Sequence, residues 1–311
     1  MKLSPDSLAA HLARGLAPVY LLSGDEPLLV GEAADAIRAR ARDAGYTDRV
    51  VHFVDRGSSW DDVRAGASNL SLFASRRLVE LRLPTGKPGV AGSAAIVELI
   101  ERRDPDTLLL ILTERLERES QGASWVRAAE SHGAWLNAWP IARDKLPAWL
   151  DARARRAGLT LDRAALALLA DRTEGNLLAA QQEIDRLSLV HAGAVGAAEL
   201  AAGVANSARF DVFTLGQAAR ARDAARSLRI VEGLRAEGVE ATLVLWSLLR
   251  ELRQSAREGA HFARRDFARL AERAARADRA IKGRLQANAW DEIALLAADL
   301  CGIRLPLARR T

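Results

Sequence analysis

The sequence predicts an α/β domain built on a parallel sheet, followed by two helical domains. The first 138 residues alternate apolar runs of strand length with runs of helical periodicity, joined by short connections. From Trp139-Pro140 onward only the helical periodicity remains. A polar stretch, Asn206-Ser207-Ala208-Arg209, reads as a linker within the helical part. We therefore expect domains at residues 1–138, 139–207 and 208–311.

Strands and helices are predicted to alternate through the first domain. Ser4-Pro5-Asp6 supplies the capping hydroxyl, first-turn proline and acid that begin a helix, which is expected to end near residue 14. Residues 107–112 are almost all apolar, as in the centre of a parallel sheet. The predicted strands cover residues 18–22, 50–54, 78–83, 107–112 and 134–138. The further predicted helices cover residues 28–44, 60–67, 94–103 and 123–131.

After residue 139 no convincing strand is found. Asp162 predicts the cap of a helix over residues 163–172, and Glu174-Gly175-Asn176 predicts its end. The C-terminal domain is expected to consist of long helices only. The predicted helices cover residues 147–157, 163–172, 177–190, 197–205, 212–221, 224–236, 241–258, 267–275, 277–287 and 291–300.

The composition bounds the class of protein. The 311 residues are 49% hydrophobic and 27% charged, which predicts folded domains with substantial cores. One cysteine and five scattered histidines exclude a disulfide framework and give no metal-ligand spacing. No apolar run reaches the roughly 18 residues of a membrane helix, and the first residues have no signal-peptide core. We expect a cytoplasmic protein with no metal and no membrane partner.

The connection after the first long strand has the position of a phosphate-binding loop but not its chemistry. Two glycines, Gly24 and Gly31, remain at this position, but no lysine followed by Ser or Thr comes after the second one. Asp25 and Glu26 place negative charge where the helix N-terminus would otherwise attract a phosphate. We expect a degenerate site at Gly24, Asp25 and Glu26 that binds no nucleotide. No other catalytic motif is present, so we do not expect an enzyme.

The stretch Asn69-Leu70-Ser71-Leu72-Phe73-Ala74-Ser75-Arg76-Arg77 fits neither helical nor strand periodicity. Its large apolar residues fit two interpretations. They can attach a helix–strand corner to the core, since large apolar residues are usually buried. They can instead form a loop that inserts Leu72 and Phe73 into a pocket on another protein, since a few apolar anchors can dominate a binding energy. The residues alone leave both open.

The C-terminal half is rich in arginine. The net charge of +5 permits a nucleic-acid partner without requiring one. Acidic residues interleave with these arginines, so a solvated helix face is favoured over a DNA-binding face. The residues concerned are Arg250, Arg253, Arg257, Arg264, Arg265, Arg269, Arg273, Arg276 and Arg279.

Three stretches resemble the delta subunit of the bacterial DNA polymerase III clamp loader. The first is Pro18-Val19-Tyr20-Leu21-Leu22-Ser23-Gly24-Asp25-Glu26-Pro27-Leu28-Leu29, and the second is Ser71-Leu72-Phe73-Ala74-Ser75-Arg76-Arg77. The third is Glu174-Gly175-Asn176-Leu177-Leu178-Ala179-Ala180 with Glu183-Ile184-Asp185-Arg186-Leu187. The resemblance covers essentially the whole chain and is weakest in the last hundred residues.

The resemblance implies an AAA+-like first domain that does not hydrolyse ATP, a small helical lid domain and a helical collar domain. It also implies that Leu70, Ser71, Leu72 and Phe73 bind the sliding clamp, the beta subunit, and help to open it for loading on primed DNA during replication. The other implied partners are the gamma/tau and delta-prime subunits in a hetero-pentamer, and primer–template DNA through that complex. Such a protein is a non-catalytic subunit of the polymerase holoenzyme and carries no cofactor.

Two other functions stay open from the residues. One is a stand-alone helical DNA-binding protein that uses the arginine-rich C-terminal half. The other is a divergent ATPase whose turnover would depend on residues 24–32.

Overall fold

A computed structural model describes residues 1–55, 57–68, 76–201, 210–257 and 264–303. The chain divides into two compact units, Met1–Lys145 and Leu146–Thr311. The expected linker at 206–209 lies outside the described residues, so the boundaries 1–138, 139–207 and 208–311 stay predictions. None of the described helices is long and apolar enough to cross a membrane.

The first unit alternates strands and helices, as the sequence predicts. Its elements are β1 (Lys2–Leu3), α1 (Pro5–Arg14), β2 (Val19–Gly24), α2 (Pro27–Asp43), β3 (Tyr46–Phe53), α3 (Trp60–Ser68), β4 (Arg76–Leu83), α4 (Gly89–Glu101), β5 (Thr107–Thr113), α5 (Arg118–Gln121), α6 (Ser124–His132) and β6 (Ala134–Ala138). The two short elements β1 and α5 were not predicted, and α4 begins at Gly89 rather than at the predicted residue 94.

The sheet has six parallel strands in the order β1-β6-β2-β5-β4-β3. The parallel α/β prediction is therefore confirmed. Alternate residues of β4 point to opposite faces of the sheet. Val79 and Leu81 pack into the cluster that α3, α4 and α6 cover. Glu80 points to the other face, where it meets Arg38 of α2.

The second unit is mostly helical. Its elements are α7 (Leu146–Arg156), β7 (Leu159–Leu161), α8 (Arg163–Thr173), α9 (Leu177–Val190), β8 (Gly193–Val195), α10 (Ala197–Ala201), α11 (Val212–Arg220), α12 (Ala224–Ala236), α13 (Ala241–Arg257), α14 (Arg264–Ile281) and α15 (Ala289–Leu300). Helices α11 to α15 enclose an apolar core built from residues such as Leu215, Ile230, Leu248 and Ile293.

Two expectations for this unit are wrong. The strands β7 and β8 pair in parallel, with Thr160 opposite Ala194. Each has three residues, too few for the alternation that reveals a strand in a sequence. The helices expected at 267–275 and 277–287 are one continuous α14 that ends at Ile281. Arg276, at the expected break, is helical and pairs with Glu292 of α15.

The predicted helix caps are confirmed. The Ser4 side chain accepts a hydrogen bond from the Ser7 amide at the start of α1. The Asp162 carboxylate accepts one from the Ala165 amide at 2.7 Å and begins α8. Each cap satisfies one of the amides that a helix start leaves without an intrahelical partner.

Candidate functional site

The predicted clamp-binding residues Leu70, Ser71, Leu72 and Phe73 lie outside the described residues. The elements on both sides of them are described: α3 ends at Ser68, and β4 begins at Arg76. Both interpretations of these apolar side chains therefore stay open. The structure describes the two elements on either side of them, α3 and β4.

The two candidate sites belong to opposite edges of the sheet. All strands run in one direction, so their first residues define an amino edge and their last residues a carboxyl edge. Arg76, the first described residue after the predicted clamp-binding residues, begins β4 at the amino edge. The connection Asp25–Glu26 leaves it at the carboxyl edge, where Gly24 ends β2. Ligands of open α/β sheets usually bind at the carboxyl edge.

Helix α3, which precedes the segment, is attached to α4 by packing and charge. The Trp60 ring fills the space that a Cβ atom at Gly92 would need, since that atom would lie 2.4 Å from the ring. Arg64 donates to Glu98 of α4 at 3.0 Å. Val63 is buried in the core beneath α3. The helix therefore has a fixed position on its face of the sheet.

The start of β4, which follows the segment, is held by two arginines. Arg77 donates to Asp48 of β3 at 2.7 Å, and both side chains are partly buried. Arg76 donates to Asp106 at 3.2 Å and to the Ala44 carbonyl oxygen at 2.8 Å. The first two residues of β4 are therefore attached to β3 and to neighbouring connections by side-chain hydrogen bonds.

A buried carboxylate ties β4 to its neighbours. Glu80 is completely buried and accepts hydrogen bonds from Arg38, Arg49 and Arg82 at 2.7 to 3.1 Å. Burial by itself would raise the pKa of the Glu80 carboxyl. The hydrogen bonds from Arg38, Arg82 and Arg49 outweigh this effect and lower its pKa from 4.5 to about 2. Glu80 is therefore ionised at neutral pH and links α2, β3 and β4.

At the carboxyl edge, the start of the connection from β2 to α2 packs tightly against the backbone of β6. A Cβ atom at Gly24, where φ is 154°, would lie 2.0 Å from the Ala138 carbonyl oxygen. Helix α2 begins at Pro27, so only two residues separate this helix from β2. Gly31 lies within the helix. A phosphate-binding loop needs several residues whose amides surround the phosphate. This connection is too short to form one.

Acidic side chains occupy the start of α2. The buried Glu26 carboxylate caps the helix and accepts a hydrogen bond from the Leu28 amide at 3.4 Å. Asp25 accepts one from Arg115 at 3.1 Å, and Arg115 stacks on the exposed Trp139 ring at 5.0 Å. The structure thus places two carboxylates, those of Asp25 and Glu26, at the N-terminus of α2, the end of a helix that favours an anion.

The described residues offer no metal centre, since none of their His, Cys, Asp and Glu side chains form a group of three or more that could hold an ion. The Cys301 thiol is buried, and this burial raises its pKa. A nucleophilic cysteine needs the opposite shift.

Three arginines of α14 are directed towards α15. Arg273 is buried and donates to Asp299 at 2.8 Å, Arg269 reaches the same carboxylate, and Arg276 pairs with Glu292 at 2.8 Å. The expectation of a solvated helix face is wrong for these three residues. Their ion pairs equally make them unsuitable for contacts with DNA phosphates.

The Glu174-Gly175-Asn176 stretch connects parts of the second unit. Asn176 caps α9 through the Ala179 amide at 3.1 Å, and Gly175 adopts a φ of 73°, which favours glycine. Glu174 and Arg226 of α12 form a buried ion pair. Nothing in the sequence indicated the Arg226 partner, because the two residues are far apart along the chain.

Comparison with known proteins adds an independent line of evidence. The family model for "DNA polymerase III, delta subunit" matches residues 20–139. The DNA polymerase III subunit delta of Escherichia coli is 33% identical over 253 residues, covering 81% of this chain and 74% of the relative. That of Haemophilus influenzae is 30% identical over 255 residues, with 81% and 74% covered. The solved Bacillus subtilis DNA clamp loader delta protein has a TM-score of 0.54 at 19% identity, covering 96% of this chain and 99% of that chain.

Proposed function

Because the chain belongs to the DNA polymerase III delta-subunit family, we propose that it works in clamp loading, as the subunit that binds the sliding clamp and helps to open it. It acts in the cytoplasm during replication as a non-catalytic part of the polymerase holoenzyme. Its partners are the clamp, the gamma/tau and delta-prime subunits in a hetero-pentamer, and primer–template DNA through the complex.

The clamp-binding element is the segment that holds Leu70, Ser71, Leu72 and Phe73. The observation that carries this proposal is the attachment of both flanking elements, α3 through Arg64–Glu98 and β4 through Arg77–Asp48. A loop between fixed ends loses less conformational freedom on binding, so more of the contact energy appears as affinity. Transfer of Leu72 and Phe73 into a pocket would contribute about 1.5–3 kcal/mol each.

Opening the clamp needs more than affinity. A ligand shifts a conformational equilibrium only by its differential affinity for the two states. The anchored α/β unit supports such a difference, because a rigid body resists deformation when the clamp changes shape. The loader subunit therefore has to hold the open or distorted clamp more tightly than the closed ring.

The chain does not bind or hydrolyse ATP in this proposal. Its support is the two-residue connection after Gly24 and the acidic start of α2, with Glu26 as the cap. Neighbouring subunits would then supply the ATP-driven control. Equilibrium dialysis with labelled ATP and Mg²⁺ checks this directly, and stoichiometric ATP binding by the isolated chain would contradict the proposal.

The deciding experiment measures binding of the sliding clamp from the same organism to the wild-type chain and to a Leu72→Ala/Phe73→Ala variant. We expect the affinity to fall about a hundredfold, which is ~2.7 kcal/mol. Circular dichroism and urea unfolding show whether the variant keeps its fold. A variant with a large loss of stability would indicate the core-packing interpretation instead.

A matched control removes an aliphatic and an aromatic side chain elsewhere in the same unit. Val90 and Phe53 are both exposed, and both lie at the carboxyl edge of the sheet. We expect a Val90→Ala/Phe53→Ala variant to bind the clamp as the wild type does. Equal loss of binding in both double variants would mean that Leu72 and Phe73 have no special role.

A further inference from the structure

Strand β3 lies at one end of the sheet. The strand order β1-β6-β2-β5-β4-β3 leaves its outer side without a neighbour among the described strands. With eight residues it is much longer than β1, the strand at the other end, which has two. A strand at the end of a sheet presents N–H and C=O groups with which another chain can pair. β3 is therefore the edge of this sheet that has room for an added strand.

One hydrogen bond fixes which backbone groups of β3 face outward. Val54, directly after the strand, donates its amide to the Arg82 carbonyl oxygen of β4 at 3.0 Å. Backbone N–H and C=O groups alternate in direction along a strand, so those of Arg49, Val51 and Phe53 point away from β4. The described residues offer these outward groups no backbone hydrogen bond. The outer edge of β3 is therefore available for main-chain pairing over residues 49–53.

The side chains of the same three residues share one face of the sheet. Arg49 reaches the buried Glu80 carboxylate at 2.8 Å. The Phe53 ring is 68% exposed, and the Arg82 guanidinium lies over it at 4.9 Å. Val51 lies between Arg49 and Phe53 along the strand and is the register partner of Glu80. An extended segment beside β3 would therefore meet arginine, valine and phenylalanine side chains at alternate positions.

This face carries more positive than negative charge. Three guanidinium groups donate to the Glu80 carboxylate, those of Arg38, Arg49 and Arg82. Arg38 also pairs with Asp35 at 2.6 Å, so three cations share two carboxylates. The Glu80 carboxylate is completely buried, whereas the side chains of Arg49 and Arg82 are 42% and 39% exposed. The charge that a partner meets beside β3 is therefore positive.

The two exposed arginines also keep hydrogen-bond donors that Glu80 does not use. Arg49 donates to Glu80 through Nε and Nη2, and Arg82 donates through Nε alone. Among the described residues, Arg49 Nη1 and both terminal nitrogens of Arg82 form no hydrogen bond. Glu80 and the Phe53 ring hold these guanidinium groups in position. A carboxylate is the group that accepts such planar donors most readily.

We propose that the outer edge of β3 binds an acidic, extended segment of another protein, which pairs with residues 49–53 as an added strand. Main-chain hydrogen bonds give such strand addition its affinity, and alternate side chains give it specificity. The segment carries an apolar side chain opposite Val51 and a carboxylate two residues away on each side, one for Arg49 and one for Arg82. This interface goes beyond the proposed function, because it involves neither the clamp nor residues 69–75.

Two other occupants fit this edge less well. A nucleic-acid strand can stack a base on the Phe53 ring, but it needs several cations along its phosphates and makes no use of the outward amides and carbonyls of β3. A second copy of β3 would bring Arg49 and Arg82 of both copies together on one face, where like charges repel. An acidic segment satisfies both the backbone groups and the charge.

The test uses a fluorescently labelled peptide whose five central residues are Glu-Thr-Val-Thr-Glu, and it measures binding to the full-length chain by fluorescence anisotropy. We expect saturable binding that is about tenfold tighter than binding of the same peptide with Gln in place of both Glu residues. A peptide with N-methyl groups on its five central amides keeps the side chains and loses the backbone donors. We expect its binding to be lost.

Two variants of the chain separate the backbone contribution from the charge. Val51→Pro removes an outward amide and leaves the hydrogen bonds to β4 in place, so the acidic peptide should bind about tenfold more weakly. Arg82→Gln should weaken binding of the Glu peptide about tenfold and leave binding of the Gln peptide unchanged. Arg102→Gln, which removes an exposed arginine of α4, is the matched control. Urea unfolding checks that all variants are folded.

Four results would overturn this interface. Absence of saturable binding, or equal binding of the Glu and Gln peptides, rules out an acidic partner. Unchanged binding after N-methylation, or by a folded Val51→Pro variant, shows that no strand is added to β3. Binding of an oligothymidine probe that depends on Phe53 replaces the protein segment by a nucleic acid. A dimer of the chain that Val51→Pro dissociates replaces it by a second copy.

Discussion

The two edges of the sheet are held in different ways. At the carboxyl edge, backbone atoms of Gly24 and Ala138 are packed so closely that a Cβ atom has no room. At the amino edge, side-chain ion pairs such as Arg77–Asp48 and Arg76–Asp106 fix the start of β4. Steric packing closes the edge where most α/β proteins bind a ligand. Charged side chains, rather than backbone packing, attach β4 at the opposite edge.

This difference supports the proposal that the α/β unit binds a protein rather than a nucleotide. A nucleotide site needs backbone amides around an open turn, and the connection to α2 does not supply them. A protein-binding loop needs fixed ends and side chains that are free to enter a pocket. The following five predictions test this comparison.

The largest effect is expected for Glu80→Gln, because Glu80 links β4 to α2 and β3. Loss of the buried carboxylate leaves Arg38 partly buried without its main partner, so we expect the free energy of unfolding to fall by about 3 kcal/mol. Urea unfolding at pH 7 measures this. Glu98→Gln, which removes a half-exposed carboxylate, should cost less than about 1 kcal/mol.

Glu80 should also make the free energy of unfolding depend on pH. The pKa of Glu80 is lowered from 4.5 to about 2 in the folded protein, so its contribution is fully present above about pH 4.5 and disappears as the pH falls towards 2. The wild-type chain and Glu80→Gln should therefore converge in stability at low pH. A constant difference between them across this range would contradict the ion-pair assignment.

Gly24→Ala is expected to cost about 2–3 kcal/mol, because the new Cβ atom meets the Ala138 carbonyl and the backbone has a positive φ. Gly31 is the matched control, since a Cβ atom there meets nothing within 4 Å. Gly31→Ala within α2 should gain about 0.5–1 kcal/mol. Thermal unfolding compares the two, and equal effects would show that the carboxyl edge is not closed by packing.

Arg77→Met removes one anchor at the amino edge while keeping the apolar stem. We expect a loss of about 1–2 kcal/mol, since the Asp48 partner is partly buried. If residues 69–75 bind the clamp, their affinity should fall about three- to tenfold, because a loosened loop has to be ordered on binding. Calorimetric titration with the clamp measures this, with the exposed Arg102→Met as the control variant. A large loss of stability with unchanged clamp affinity would separate the anchor from binding.

The smallest effect is expected for Asp25→Asn at the carboxyl edge. Asp25 and Arg115 form an exposed pair, so we expect a change of at most about 1 kcal/mol and no change in clamp affinity. Nucleotide binding should still be absent, because Glu26 and the short connection remain. Gain of ATP binding by this variant would show that charge, and not the shape of the connection, excludes the nucleotide.

Local signals in the sequence determined much of the fold. The strand-length apolar runs and helical periodicities identified β2 to β6 and most of the helices, because burial of one face imposes these periods wherever the element packs. Ser4 and Asp162 identified helix starts, since a cap acts within its own turn. The motif stretches indicated the family, whereas the absence of phosphate chemistry after β2 stays a prediction.

Tertiary structure decided what depends on residues far apart in the chain. The strand order, the β7–β8 pair and the burial of Glu80 among three arginines have no local signature. The same holds for the ion pairs of Glu174 with Arg226 and of Arg273 with Asp299, which turn charges that looked solvated into internal contacts. A sequence shows which side chains are charged, but only the packed chain determines which opposite charge compensates the cost of burying each one.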